Sequence, residues 1–344
     1  MSVWFEHFSG RGAGNLLVLL LLVLVAGPVT AGELVDENPE SVATFSIVAR
    51  DSATGELGVA VASRFFAVGS VVPWARADIG AVATQAYANT TFGPRGLVFL
   101  EAELTPQEAL QALLEADDKP TRRQVGLVDA SGRSASYTGS ECLDWAGSRN
   151  GPNYAVQGNI LAGEEVVVAM EEAFLTTEGT LAERMYASLL AGEEAGGDSR
   201  GKQSAAIVVV RQGAGYGGYT DRAIDIRVDD HEEPFKELGR LLQLAQVNYA
   251  WNDAWTLFTQ ERYEAALPYM EKAAQLAPDY AEVFYDLGVI RLANDDRFGA
   301  LEAMARAFEL NPNLIDAAMV DDDLAALHDD ETFLELVGEP AVAE

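Results

Sequence analysis

Apolar and polar residues alternate where the globular part of the chain begins. Residues 44–49 follow this period-two pattern and are rich in β-forming residues, and residues 57–63 form a second strand pattern. Residues 51–56, between them, are turn-forming. The pattern predicts a β-hairpin whose first strand begins at Thr44.

The same reading places further strands and helices along the chain to residue 231. Strand patterns lie at 80–84, 125–128, 134–137, 205–210 and 223–228, and helical patterns begin at Thr105 and cover 164–174 and 181–192. Because the strands come as hairpins, they should be antiparallel. Residues 44–231 are therefore predicted to form a layered α+β domain and not a doubly wound parallel sheet.

From residue 232 the apolar spacing becomes helical, and a 34-residue repeat follows. The repeated positions are the pairs Ala266/Ala300, Met270/Met304, Ala273/Ala307 and Pro278/Pro312. This period resembles the tetratricopeptide (TPR) repeat. Residues 232–344 are predicted to be an all-α, TPR-like array with an acidic capping tail, packed on the preceding domain.

The N-terminus has the pattern of a secretory signal. Arg11 precedes an apolar run at 16–26, and small residues lead to a predicted cleavage site after Ala31. The predicted division is a signal peptide at 1–31 and a polar linker at 32–43, with export to the periplasm or the medium. An uncleaved anchor is the alternative. Cys142 is the single cysteine, so no disulfide can form within the chain.

The formal net charge of −31 limits the kinds of partner that the protein is expected to bind. It argues against nucleic acid, because phosphates would be repelled rather than neutralised. It also argues against an anionic membrane surface once the signal has been removed. A basic protein or peptide is the partner that this charge favours.

Conventional chemical motifs are weak. No His/Cys cluster has metal-binding spacing, and no metal or cofactor is predicted. Residues 213–218 match G-x-G-x-x-G but precede a strand, so a hairpin connection is expected. Residues 197–201 match G-x-S-x-G without the strand-then-helix context of a nucleophile elbow. Asp198, Ser199 and Arg200 form either a ligand-binding loop or an ordinary surface loop.

Thr44 suggests a catalytic group that needs no histidine. If cleavage made it the N-terminal residue, its α-amine, with a pKa of roughly 7.7 to 8.0, could deprotonate its own hydroxyl. Ala43 lies far beyond the apolar run, so this would need a second protease or autoprocessing. The alternative is that Thr44 only begins a strand.

Several blocks together resemble a known bacterial family. They are residues 44–51, 58–65, 80–86, 93–96, 141–147, 156–159, 197–201 and 228–231. They resemble domain of unknown function 1028, which is grouped with the Ntn (N-terminal nucleophile) hydrolases. The resemblance implies a four-layer αββα fold. Cytoplasmic relatives begin Met-Thr-Phe-Ser, so Thr44 matches the Ntn nucleophile position, and the grouping suggests amide hydrolysis.

Two functions remain open. The first is an exported amide hydrolase with Thr44 as nucleophile, Asn159 as oxyanion donor, and Arg76, Asp198, Ser199 and Arg200 in binding. These groups are predicted to gather at the end of the sheets where Thr44 lies. The second is a non-catalytic scaffold whose TPR-like array recruits a basic partner.

Overall fold

A computed structural model describes residues 44–143 and 145–338. The predicted signal peptide and linker lie outside these residues. The described chain is mixed α/β with antiparallel sheets, followed by a C-terminal helical array.

Ten strands within the described residues form two sheets. The larger sheet has the order β10-β9-β2-β1-β8-β7, and the smaller has the order β3-β4-β5-β6. All pairs within them are antiparallel. The strands are β1 Thr44–Arg50, β2 Leu57–Ser63, β3 Pro73–Arg76, β4 Gly80–Ala86, β5 Arg123–Asp129, β6 Ser134–Thr138, β7 Gly147–Gly151, β8 Tyr154–Asn159, β9 Ser204–Val210 and β10 Arg222–Val228.

Four helices belong to the same part of the chain: α1 Phe92–Glu101, α2 Pro106–Glu115, α3 Glu165–Thr176 and α4 Leu181–Glu194. α2 begins as predicted, because Thr105 and Glu108 form a reciprocal capping box that satisfies free backbone N–H groups. Thr180 and Glu183 do the same for α4.

Each face of the larger sheet packs on a different partner. In β1, Phe45, Ile47 and Ala49 pack with residues of α3 and α4, whereas Val48 packs toward the smaller sheet. The outer face of the smaller sheet packs on α1 and α2. Both β1 and β2 are therefore buried on both faces, which explains their nearly continuous apolar composition.

The C-terminal array consists of α5 Pro234–Phe258, α6 Tyr263–Leu276, α7 Ala281–Ala293, α8 Arg297–Leu310, α9 Leu314–Ala318 and α10 Glu331–Val337. Consecutive helices from α5 to α8 pack on one another. The repeated Ala and Met positions in α6 and α8 are buried, which explains why small and flexible residues recur there.

Helix α5 joins the two parts. Near its start, Phe235, Leu238 and Leu242 belong to the same apolar cluster as α3 and α4. Toward its end, Val247, Ala250 and Ala254 pack in the core of the array. The expectation that the array packs on the preceding domain is therefore correct.

Four elements were missing from the sequence prediction. Strand β3 lies before the strand predicted at 80–84, and helix α1 lies after that predicted strand. The β7–β8 hairpin was also missed, although β8 ends at the candidate residue Asn159. The glycine-rich segment at 213–218 connects β9 to β10, as expected of a hairpin connection.

Candidate functional site

Thr44 is the first residue of β1, which lies between β2 and β8 in the larger sheet. Its side chain is completely buried. The Thr44 hydroxyl donates to Ser63 Oγ at 3.3 Å, and its carbonyl oxygen accepts from Gln85 Nε2 at 3.1 Å. The nucleophile candidate is thus enclosed between the sheets and held by polar groups.

Four polar residues form a row across one end of the larger sheet. Asn159 is in register with Thr44. Phe45 is opposite Ala62, so Thr44 lies opposite Ser63, and Ser63 is in register with Ser204. Paired residues of neighbouring strands project to the same face. The row is buried in the layer between the two sheets.

The smaller sheet faces the row with two buried glutamines. Gln85 Nε2 donates to Gln124 Oε1 at 2.9 Å, and Gln85 Oε1 accepts from Ser46 Oγ at 2.5 Å. Gln124 Nε2 donates to the carbonyl oxygen of Gly158 at 2.7 Å. Buried amides are costly unless they are bonded, so this network links the sheets across the layer.

The network fixes the orientation of Asn159. Because Gln124 uses its nitrogen as a donor to Gly158 and Thr138, its oxygen must accept. Asn159 therefore presents Nδ2 to Gln124 Oε1, at 3.0 Å. Asn159 Oδ1 is buried and has no hydrogen-bond partner among the residues that the structure describes. A buried orphan acceptor in register with Thr44 is a place where a donor would be stabilised.

The loop at 198–200 lies at the same end of the sheets. A short bridge joins Leu161 to Asp198. Asp198 Oδ2 accepts from the backbone N–H of Arg64, the residue after Ser63, at 2.9 Å. The prediction that this loop adjoins Thr44 and Asn159 agrees with the strand register.

The Asp198 carboxylate, however, already accepts hydrogen bonds from other residues of the protein. Its side chain is almost completely buried, and it accepts from the backbone and the guanidinium of Arg200. Ser199 is exposed, and its backbone N–H donates to the carbonyl oxygen of Ile160. Asp198 acts here as an anchor of the loop, so Ser199 and Arg200 are the members nearer to solvent.

The expectation that Arg76 lies at this end is wrong. Arg76 is paired with Gly80 at the start of β4, whereas Gln85 is near the end of that strand. Five residues of strand separate the two positions, about 17 Å. The turn after β3 reverses the chain and leaves Arg76 at the opposite end, where it forms an ion pair with Glu101.

Sequence reasoning missed Ser63, Gln85 and Gln124. A signal was present, since each is a polar residue at or next to the end of a strand whose central positions are mostly apolar. The sequence does not show which strands pack over one another. Only the stacking of the two sheets brings β4 and β5 over β1 and β8.

Burial also affects a carboxyl group beside the loop. Burial raises the pKa of Glu193, and the charges of Asp198 and Glu233 act in the same direction, while Lys202 opposes them. Lys202 bonds Glu233 at 2.7 Å and lies 3.9 Å from Glu193.

The described part of the chain contains no group of three or more His, Cys, Asp and Glu side chains placed to hold a metal ion. None of its helices is both long and apolar enough to cross a bilayer. Two cavities, of about 630 and 660 Å³, lie along α5, and Thr44 lines neither of them.

The fold and this polar row define a class of protein: two stacked antiparallel sheets, helices on both outer faces, and a strand-heading threonine between them. The chain belongs to the family of unknown function DUF1028, whose model matches residues 44–238. The chain is similar to a DUF1028 protein from Silicibacter pomeroyi, known from a crystal structure. The two are 32% identical, with a TM-score of 0.55, and the match covers 60% of this chain and 90% of that one. No curated protein matches the chain.

Proposed function

We propose that the protein is an exported amide hydrolase of the Ntn type, with Thr44 as the nucleophile once the preceding residues have been removed. The observation that carries the proposal is the buried polar row in which Thr44 heads a central strand beside Ser63 and Asn159. The helix–sheet–sheet–helix layering is similar to that of Ntn hydrolases, and it supports the same assignment.

The chemistry follows from the groups in the row. A free α-amine at Thr44 would take the proton from its own hydroxyl, and Oγ1 would attack the amide carbonyl carbon. The resulting ammonium would pass a proton to the leaving amine as the C–N bond breaks. Water would then hydrolyse the threonine ester, releasing the acid and restoring the hydroxyl.

Asn159 has two tasks available to it. Nδ2 carries two hydrogens, and Gln124 accepts one of them, so the second can donate to a developing oxyanion. The orphan Oδ1 can accept from the new ammonium group of Thr44. Both tasks depend on the orientation that Gln124 imposes.

Two measurements test this proposal. N-terminal sequencing of the protein recovered from its producing cells should find a mature chain that begins at Thr44. A form that begins at Thr44 after methionine removal should be acylated by a β-lactone probe, seen as an added mass on the peptide containing residue 44.

Controls separate this chemistry from general hydroxyl reactivity. T44V, which removes the hydroxyl, should abolish labelling, whereas T54V, at an exposed turn threonine, should leave it unchanged. A mature chain that begins at Gly32, or equal labelling of both variants, would contradict the proposal.

A second function rests on the C-terminal array. Helices α5 to α8 pack in sequence and carry the 34-residue repeat, which supports a TPR-like module that binds a basic protein or peptide. Recovery of a basic partner at low salt, and its loss at high salt, would support recruitment. Recovery of no protein at low salt would count against it.

A further inference from the structure

A cavity of about 630 Å³ lies between the β9–β10 connection and helix α5. Its walls come from both parts of the chain, with Tyr216 on the hairpin side and Trp251 and Trp255 on the helix side. Volumes of this size are typical of small-molecule sites. Because neither Thr44 nor Asn159 lines it, this cavity is separate from the polar row.

The hairpin wall is tied to the helix. Asn252 Oδ1 accepts from the backbone N–H of Gly217 at 2.8 Å. Asn252 Nδ2 donates to the carbonyl oxygen of Gly215 at 3.0 Å. Gly217 has a positive φ of 63°, a conformation that suits glycine. One asparagine side chain thus holds a glycine-rich loop in place, so the cavity is formed before any ligand binds.

The two indoles are fixed from the other side. Trp251 and Trp255 both donate their ring N–H to Asp286 Oδ2 on α7, each at 2.6 Å. Their polar atoms are therefore already used. What the rings can offer a ligand is flat apolar surface, and Tyr216, 88% exposed, adds a third aromatic ring.

The hydrogen-bonding groups of the cavity are mostly neutral. Asn248 is exposed at the rim, and the buried Thr256 hydroxyl has no hydrogen-bond partner in the described chain. The described residues lining the cavity include no carboxylate, and Arg222, its one cation, is bonded to Asp225. A cationic ligand would find no counter-ion, and the net charge of −31 repels an anionic one.

We propose that this cavity binds a neutral saccharide. A pyranose ring has an apolar face that stacks on aromatic side chains and hydroxyls that suit amide and hydroxyl partners. The aromatic surfaces and the neutral hydrogen-bonding groups that line the cavity together match that chemistry. The site needs both the hairpin and the helix, so it exists only in the complete chain.

The test uses the neutral trisaccharides maltotriose and tri-N-acetylchitotriose with the full chain. At least one should produce a saturable change in tryptophan fluorescence, together with heat of binding in calorimetry. Y216A should weaken that binding roughly tenfold through loss of a stacked ring. N248A should weaken it in the same direction.

Tyr219 provides a matched control on the same loop. It is 90% exposed and does not line the cavity, so Y219A should bind as the native chain does. The proposal is overturned if neither trisaccharide gives saturable binding, or if Y216A and N248A both bind unchanged. Equal binding of N-acetyl-trialanine amide, a peptide without charged groups, would also overturn it, because the cavity would then not select saccharides.

Discussion

Between the two sheets the buried polar groups are neutral amides and hydroxyls, whereas beside helix α5 the buried Glu56 belongs to a network with charged groups. Gln85 and Asn159 both donate to Gln124 inside the sandwich. Near α5, Tyr249 donates to Glu56 at 2.8 Å, and Arg211 bonds Asp253 at 2.9 Å. Both sets join parts of the molecule that are distant in sequence.

The difference has a physical consequence. A buried network of neutral groups is insensitive to pH and salt. It loses free energy of unfolding mainly when one of its groups is left without a hydrogen-bond partner. The stability of a buried charged network depends on protonation, because the attraction of each carboxylate to its cation must offset the free energy lost by removing both charges from water. The sheets and their polar row should therefore keep their geometry over a pH range in which the α5 junction changes.

The largest effect should come from breaking the neutral network at its centre. Q124L removes the acceptor of Asn159 and Gln85 and the donor to Gly158. Several buried groups lose partners, so the free energy of unfolding in urea should fall by about 3–5 kcal/mol.

Q157L is the matched control for that substitution. Gln157 donates to Ser46, and its Oε1 already has no hydrogen-bond partner among the described residues. Fewer contacts are lost, so the cost should be about 1–2 kcal/mol. Equal costs for the two variants would show that Gln124 is not the centre of the network.

The charged junction should give the next effect. R211M leaves Glu56 and Asp253 without their cation, and burial already raises the pKa of Asp253. Because Arg211 is partly exposed, we expect a loss of about 2–3 kcal/mol at pH 7 in urea unfolding.

On the same hairpin, Arg222 bonds Asp225 at a more exposed position, and R222M should cost less than about 1 kcal/mol. Lowering the pH should reduce the loss in free energy of unfolding caused by R211M, because Glu56 and Asp253, which no longer have a cation beside them, then take up protons. A deficit that stays constant from pH 7 to pH 4 would argue against charge as its cause.

The smallest effect concerns Asp286. Burial raises its pKa to about 6, although the indole N–H groups of Trp251 and Trp255 act in the opposite direction. A carboxyl group whose pKa is raised by folding contributes stability at low pH that is lost as the pH rises toward 6. D286N, which mimics the protonated side chain, should be more stable than the native chain at pH 7 by about 1 kcal/mol.

The measurement is urea unfolding at several pH values, followed by tryptophan fluorescence. The advantage of D286N should disappear below about pH 4, where the native side chain is protonated in both states. A native fluorescence change centred near pH 6 should be absent from D286N. An advantage that does not vary with pH would mean that titration of Asp286 is not involved.

How far the sequence predicted this structure depends on local signals. The β1–β2 hairpin was predicted because alternation and turn chemistry agree, and α2 because Thr105 begins a capping box. Helix α1 was missed because Gly93, Pro94 and Gly96 are not typical of a helix. Strand β7 was missed because Gly147–Gly151 has no apolar alternation.

The candidate site shows the same limit. Thr44 and Asn159 were placed together correctly, because each lies at a strand end. The error over Arg76 arose because the short strand β3 was not recognised, so the direction of the chain at that point was unknown. Gln85 and Gln124 could not be assigned without knowing which sheet covers which.

Helix α5 runs without interruption from Pro234 to Phe258, and the family match ends within it, at residue 238. The last strand ends at Val228, only a few residues earlier. The end of the family match therefore falls inside one continuous helix and not in a loop between two domains. Helix formation is cooperative along its length, so unfolding at one end of α5 should destabilise the other end. The sheet-containing domain and the C-terminal array should therefore unfold in one cooperative transition, and limited proteolysis should not separate them.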